Sequence, residues 1–577
     1  MREDPPKDLL DWLRFSNVPN WAVARPLGAL FGFLIFVLFL MAFGAAFYTL
    51  LGVFIAPDRA NLGTGALIVA LMGAPFVVWR TMIAQRDLNF KKEGHITDRI
   101  NKAVEQLGAE KTIKRPERDE DGKPKLVEGK PVVIEETVPN IEVRIGAILS
   151  LERIAQDSTA YDKGRDHVRV MEILCAYIRE NAPGASAQNH PDGDWEPLAD
   201  DATDEQYEAH EKKRKARFKE GSRWTDTIKP PREDVALALK VIGRRTLAQR
   251  LVEANWPEAG PAAEWVFDVP APQLPDIDSP NEEAVLRAFL VDLDKWKERL
   301  SRYKGYRHDL SGTNLQKADL SGCYLSGIRF ANVRLEGAYL DSARIEGVSL
   351  DGARLEGGSL RGARLDAASL FSARLEGASL YDACLEGAYL DSARLEGASL
   401  VRAHLARACF SHARLEGVSL SDARLEGASL SYARLEGAYL HGANLASANL
   451  FGARLEGAYF GGASLGGAYL TNTRLDGATF ASADLDGASL FDARLDVSSL
   501  IDVDLSTCSG LNQEQIEAAF GWADVILPQD LVRPLHWPGP HVKDPWEEYE
   551  KWLSDPAGYV PPPPPEPEEG DAAATSA

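Results

Sequence analysis

The second half of the chain keeps a strict beat. From Leu310 to Leu505 a large apolar residue returns every five positions, through forty units without an insertion. Two positions earlier stands a small residue, usually alanine, as at Ala338, Ala343, Ala353 and Ala363. A period of five fits neither the helix, at about 3.6, nor the strand, at about 2. A fixed short period predicts a solenoid whose stacked coils bury a continuous core. If the centre and the small residue both point inward, the bore is narrow, and leucine fills it only beside a small neighbour. Leu340, Leu360, Leu380, Leu400, Leu420, Phe460 and Phe480 are therefore predicted core positions, with the two phenylalanines stacked on neighbouring coils.

The polar positions set the coil length. Arginine precedes the centre at Arg334, Arg354, Arg374, Arg394, Arg414, Arg434, Arg454, Arg474 and Arg494. An acid follows the centre each time, from Glu336 to Asp496. The series offset by ten begins alike, with Arg344/Glu346 and Arg364/Asp366, then changes at Cys384, His404, Asn444 and Ser464. A 15-residue coil would mix arginine with serine and tyrosine on one face. A 20-residue coil keeps each series on its own face. Four units per coil follow, about ten coils, and a rod of roughly 48 Å.

Upstream, the apolar spacing becomes helical. One face holds Ile141, Ile145, Ile148 and Leu149 or Leu151, and a second holds Val168, Met171, Leu174, Cys175 and Ile178. A third holds Val235, Leu237, Leu239 and Ile242, and a fourth runs from Val285 to Leu300 with Phe289, Leu293 and Trp296. Residues 86–182 and 232–307 are predicted as small helical regions, the fourth helix (282–303) capping the first coil. Residues 183–231 carry blocks of both charges and read as an exposed linker. After the rod, residues 508–545 read as a cap helix with a packing tail, and 546–577 as an acidic, proline-rich disordered tail.

The first 85 residues differ again. After a short N-terminal segment (1–25), the stretch 26–85 holds two nearly charge-free runs, each long enough to cross a bilayer of about 30 Å. They predict a transmembrane hairpin, with the bilayer as partner. Lysine and arginine flank both outer ends, which puts both termini and the rod on the cytoplasmic side.

Composition sharpens this picture in three places. The net charge is -22, yet residues 308–505 hold 17 basic and 25 acidic residues, a net of -8, and the C-terminal 72 residues contribute -10. The balance argues against direct nucleic-acid binding, which needs excess cations against phosphates. Five scattered cysteines without a CxxC pair argue against a disulfide scaffold or a zinc site. No phosphate-binding glycine motif or acid–nucleophile arrangement is present. No catalytic residue, cofactor or metal is therefore expected, and Asp166-His167 reads as a helix start.

The repeat resembles the pentapeptide-repeat family, whose A(D/N)LXX pattern stands at Ala443-Asn444-Leu445, Ala448-Asn449-Leu450 and Ala483-Asp484-Leu485. The resemblance covers about 308–507 and implies a right-handed quadrilateral β-helix. The helical segments upstream look like those of bacterial membrane-attached members, which implies the bacterial inner membrane. The expected function is a non-enzymatic, membrane-tethered scaffold that presents the rod to cytoplasmic proteins. The candidate surface is the arginine series from Arg334 to Arg454 with Tyr439, His441 and Tyr459. Self-association through Leu293, Trp296 and Leu300 is a further expectation. The alternative, by family analogy, is a DNA-mimicking inhibitor of a topoisomerase or another nucleic-acid-binding protein. The arginine–acid rows read as a ladder of exposed ion pairs.

Overall fold

The computed structural model describes most of residues 96–563. It leaves out 119–122, 128, 162–163, most of 191–223, 258–263 and 274–281, and it describes only a few residues before 96. Segment 1–25, most of 26–85 and the tail 564–577 lie outside the described residues.

The expected membrane hairpin is corrected here. Spanning requires one continuous apolar helix of about 20 residues. Among the described residues no helix is long and apolar enough to cross a membrane. The expected inner-membrane placement is corrected with it, while the bilayer as partner was assigned to residues 26–85, most of which lie outside the described residues.

Residues 308–507 form a β-helix with a 20-residue coil. Each residue before a centre pairs in parallel with the residue twenty positions on, as in Arg334↔Arg354, Tyr339↔Ser359, Arg344↔Arg364 and Ser349↔Ser369. Those four pairs mark four faces, here numbered one to four in that order. The ladder is regular: Leu335 N donates to Arg354 O at 2.7 Å, and Arg354 N to Val333 O at 2.9 Å. Each unit ends in a turn closed by a bond such as Ala338 N to Leu335 O, 2.9 Å. The third turn residue is left-handed, which suits Gly337 (φ 65°) and is tolerated by Ser342 (φ 56°). Leu360, Leu380 and Leu400 are fully buried, and each such burial contributes about 1.5–3 kcal/mol. Phe460 and Phe480 stack with centroids 4.9 Å apart and planes 1° from parallel.

Upstream, a hairpin precedes the helices. β1 (Glu110–Pro116) pairs antiparallel with β4 (Val133–Pro139), and β2 (Leu126–Val127) with β3 (Lys130–Pro131). This interrupts a region read as helical. Its signals were the β-branched runs around Thr112-Ile113 and Val132–Ile134, with Asp121-Gly122 and Glu128-Gly129 between them. Helices α1 (Ile141–Tyr161), α2 (His167–Asn181), α3 (Glu233–Gly243) and α4 (Leu247–Ala254) follow. In α1 the buried choice is Leu151, while Leu149 faces solvent.

This helical layer closes the first coil. Gly184 N donates to Gly312 O at 2.8 Å, Asn314 N to Ala182 O at 2.7 Å, and Tyr324 N to Gly243 O at 2.7 Å. Gly243 must be glycine, because a Cβ would come within 2.6 Å of the Cys323 sulfur. Beneath the contact lies a buried polar cluster. Glu253 accepts from Arg245 at 2.7 Å and pairs with His167 at 2.8 Å, and Arg245 also reaches the His308 ring at 2.8 Å. Burial resists ionisation of Glu253, but Arg245 and the histidines prevail and hold its carboxyl down at about 2. His167 is thus an interior partner. Asp166 occupies the N-cap position without capping through its side chain, and it accepts from Arg169 instead.

The helix α5 (Glu282–Ser301) is not an end cap. It runs along one edge of the rod, where the turn residues of successive coils are small. Leu300 and Phe267 lie at Gly347, Leu293 lies at Gly387, and Ala406 joins the same cluster. From Leu300 back to Leu293 a helix rises about 10.5 Å. From Gly347 to Gly387 two coils rise about 9.6 Å. The near match of the two repeats lets one helical stripe track the edge. Leu293, Trp296 and Leu300 are spent inside the chain, so self-association through them is withdrawn.

At the far end α6 (Gln513–Ala518) caps the bore, and Gln515 donates to the carbonyls of Leu490 and Ala493 at 3.1 and 2.7 Å. The ladder then continues through Ser499↔Phe520 and Asp504↔Ile526. A helix α7 (Pro545–Ser554) stands where a disordered tail was expected. Asp544 caps it, Tyr549 donates to Val497 O at 2.8 Å, and Trp552 packs on Phe520.

Candidate interaction faces of the rod

The rod has two kinds of face, in alternation. Faces one and three carry the arginine–acid series, while two and four carry hydroxyl and aromatic residues. On face one each arginine from Arg354 on sits between two acids, one from its own coil and one from the coil before. Arg354 lies 3.2 Å from Glu336 and 3.0 Å from Glu356. Arg414 lies 3.2 Å from both Glu396 and Glu416, and the pattern continues to Arg494 between Asp476 and Asp496. The expected exposed ladder is in fact largely buried: Glu336, Glu396 and Glu436 are at most 1% exposed. Their position just after the centre tucks them under the guanidinium rows.

Burial dominates the electrostatics. It pushes the Glu396 carboxyl up to about 8, Glu376 and Glu416 push the same way, and Arg414 and Arg394 pull it back. Glu436 is raised to about 7 by burial and by Glu416. Part of the cover comes from the segment read as an exposed linker. Arg334 donates to the carbonyl of Gln188 at 3.0 Å, Thr225 lies against Gly337 and Gly357, and Arg214 lies against Gly417. His190, Arg214, Thr225 and Ile228 are buried.

Face three starts with the same rungs. Arg344 pairs with Glu346 at 3.1 Å, and Arg364 with Glu346 and Asp366 at 3.2 and 3.5 Å. Then Cys384 takes the arginine position, and Asp366 and Glu386 face one another across it. Burial, with the Glu386 contact, holds Asp366 well above the usual carboxylate range, and burial also raises Glu386. The next residue, His404, lies 3.4 Å from Glu386. The Cys384 thiol is pushed up to about 12, first by burial and then by its acidic neighbours. It is therefore a poor nucleophile at neutral pH. Among the described residues no His/Cys/Asp/Glu group is arranged to hold a metal ion.

The sequence-predicted surface thus divides. The arginines from Arg334 to Arg454 are mostly covered and engaged in pairs. Tyr439 and Tyr459 are half exposed on face two, stacked at 5.2 Å with planes 5° apart, beside the exposed His441. Tyr381, on the same side, is held by Arg361 and Arg402, whose charges lie 5.4 and 5.6 Å from its ring. A second aromatic edge was missed. His412 stacks on Tyr432 at 5.2 Å, Tyr432 meets Phe451 edge-on at 5.5 Å, and Phe371 and Phe491 lie exposed along the same corner. The signal was present, since all five stand one or two positions after centres spaced by twenty or forty.

A family profile described as pentapeptide repeats matches with eight copies, over 309–347, 349–387, 383–422, 419–457 and 453–492. Among solved structures, HetL, a pentapeptide repeat protein involved in heterocyst differentiation regulation in the cyanobacterium Nostoc, is 35% identical; the match covers 34% of this chain and 92% of HetL, with TM-score 0.31. A pentapeptide repeat protein of the Arabidopsis thaliana thylakoid lumen is 34% identical over 19% of this chain and 69% of its own, with TM-score 0.11. QnrB1, a plasmid-mediated fluoroquinolone resistance protein, is 19% identical over 34% and 90%, with TM-score 0.21. No curated protein matches. The repeat profile matches along the rod, and the chain belongs to the pentapeptide-repeat family.

Proposed function

We propose that the protein is a non-enzymatic scaffold whose rod docks a protein partner through face two, at Tyr439, His441 and Tyr459. The observation that carries this reading is the exposed, stacked Tyr439–Tyr459 pair on a rod whose charged ladder is largely internal. Rigid aromatics offer large contact area at small entropic cost, and they are enriched at interface cores. The arginine series supports the surface from beneath by holding coils in register. The DNA-mimic reading is disfavoured, because phosphate mimicry needs displayed acids, and Glu336, Glu396 and Glu436 are buried between arginines. Affinity capture with the full chain tests the proposal. The triple change Tyr439→Ala, His441→Ala and Tyr459→Ala should remove bound partners and leave the thermal midpoint nearly unchanged. An unchanged partner set would reject it. A supercoiling assay with the same chain should show no inhibition.

A further inference from the structure

Face four carries a cavity that the ladder logic does not explain. Its volume is about 490 Å³, and its floor is made by successive rungs Arg329, Ser349, Ser369 and Tyr389. Small residues, among them Gly347 and Ala367, keep the space open. Arg307 forms a wall, its guanidinium held over the rings of Tyr303 and Phe267 at 5.3 and 5.9 Å. At the other end Lys297 of α5 sits 4.2 Å above the Tyr389 ring.

The charges are unbalanced. Every ladder arginine on face one has carboxylate partners, yet among the described residues no carboxylate lies within ion-pair distance of Arg307 or Arg329. None lines the cavity. Of the nearby acids, Asp351 accepts from Ser349 and Ser369, and Asp309 lies 3.9 Å from Arg179 while also feeling the Arg329 charge from beyond contact distance. Burial, with a smaller effect of the Arg329 charge, lowers the proton affinity of Arg307. Two guanidiniums without a carboxylate in contact among the described residues leave room for an anion from outside.

We propose that this cavity binds a small phosphorylated molecule, with Arg307 and Arg329 gripping the phosphoryl oxygens and Tyr389 bounding the rest of the ligand. Two guanidinium forks match a phosphate dianion in charge and in bidentate geometry. The volume suits a nucleotide-sized ligand, since such sites span roughly 300–1,000 Å³. The site is independent of the face-two docking surface.

Isothermal titration of the full chain with pyrophosphate, AMP and succinate tests it. Pyrophosphate and AMP should bind saturably and more tightly than succinate. Arg329→Gln, at an exposed position, should weaken both by about tenfold or more. Arg307→Lys keeps the charge but loses the fork, and should weaken AMP while circular dichroism stays unchanged. AMP affinity should rise as pH passes about 6, where the phosphoryl group takes its second charge. Absence of saturable binding, succinate binding as tightly as AMP, or equal affinity in Arg329→Gln would each overturn the proposal.

Discussion

Faces one and three of the rod start from the same rungs and diverge at one residue. On face one, nine arginines alternate with nine acids from Arg334 to Asp496, and each buried carboxylate has cations on its own coil and on the next. On face three, Cys384 interrupts the alternation, and two buried carboxyls meet without an arginine between them. The same coil geometry therefore gives carboxyls flanked by arginines where the series is complete and two abutting carboxyls where it is not, and burial raises acids on both faces. A buried acid needs a cation or a proton, and an arginine between two acids offsets part of the burial that raises them.

The largest test removes a cation from the complete face. Arg394→Ala leaves Glu376 and Glu396 buried with half their cations, and should cost about 3–5 kcal/mol by chemical denaturation above about pH 8, where Glu396 is ionised. A cost below about 1 kcal/mol would show that the ladder behaves like surface pairs.

Next comes pH. The folded carboxyl of Glu396 is raised from 4.5 to about 8, so the folded state binds more protons than the unfolded chain in that window. Stability from this group is fully present below about 4.5 and is lost as pH climbs towards 8. The urea midpoint should fall over that interval, and Glu396→Gln should flatten the fall. A midpoint that rises with pH would contradict the burial argument.

A smaller effect repairs the broken face. Cys384→Arg restores a rung between Asp366 and Glu386 and should stabilise the chain by about 1–2 kcal/mol at pH above about 8, less in mild acid. Asp366→Asn should remove the same like-charge repulsion without adding a cation. If both variants are neutral at every pH, the two carboxyls do not oppose one another. The smallest effect lies at the end of face one, where Arg494 is about half exposed: Arg494→Ala should cost less than about 1 kcal/mol. A cost equal to that of Arg394→Ala would mean that burial is not what gives the ladder its strength.

Much of the rod was legible because its period is one-dimensional. Leu340 to Phe480 could be assigned inward from spacing alone, and the twenty-residue recurrence of arginine set the coil. The exposed-ladder reading failed at Glu336, because sequence shows that an acid follows the centre but not that the turn tucks it beneath the neighbouring guanidinium. The segment 183–231 failed for a related reason. Its charges look solvated, yet Arg214 and Thr225 find a surface that exists only once the coils have stacked. In α7, the Asp544-Pro545 start and the spacing of Trp546, Tyr549 and Trp552 were readable, but the acidic composition around them obscured the pattern.

The sequence by itself determined the coil, the core and the alternation of charged and aromatic faces. Each follows from side-chain size and sign repeated at a fixed interval. Only the tertiary structure decided which charges are buried, which face α5 covers, and where, among the described residues, two arginines stand without a carboxylate in contact. Those outcomes depend on surfaces brought together from residues as far apart as Arg214 and Gly417, and their burial depends on what lies across the gap, which no local pattern records.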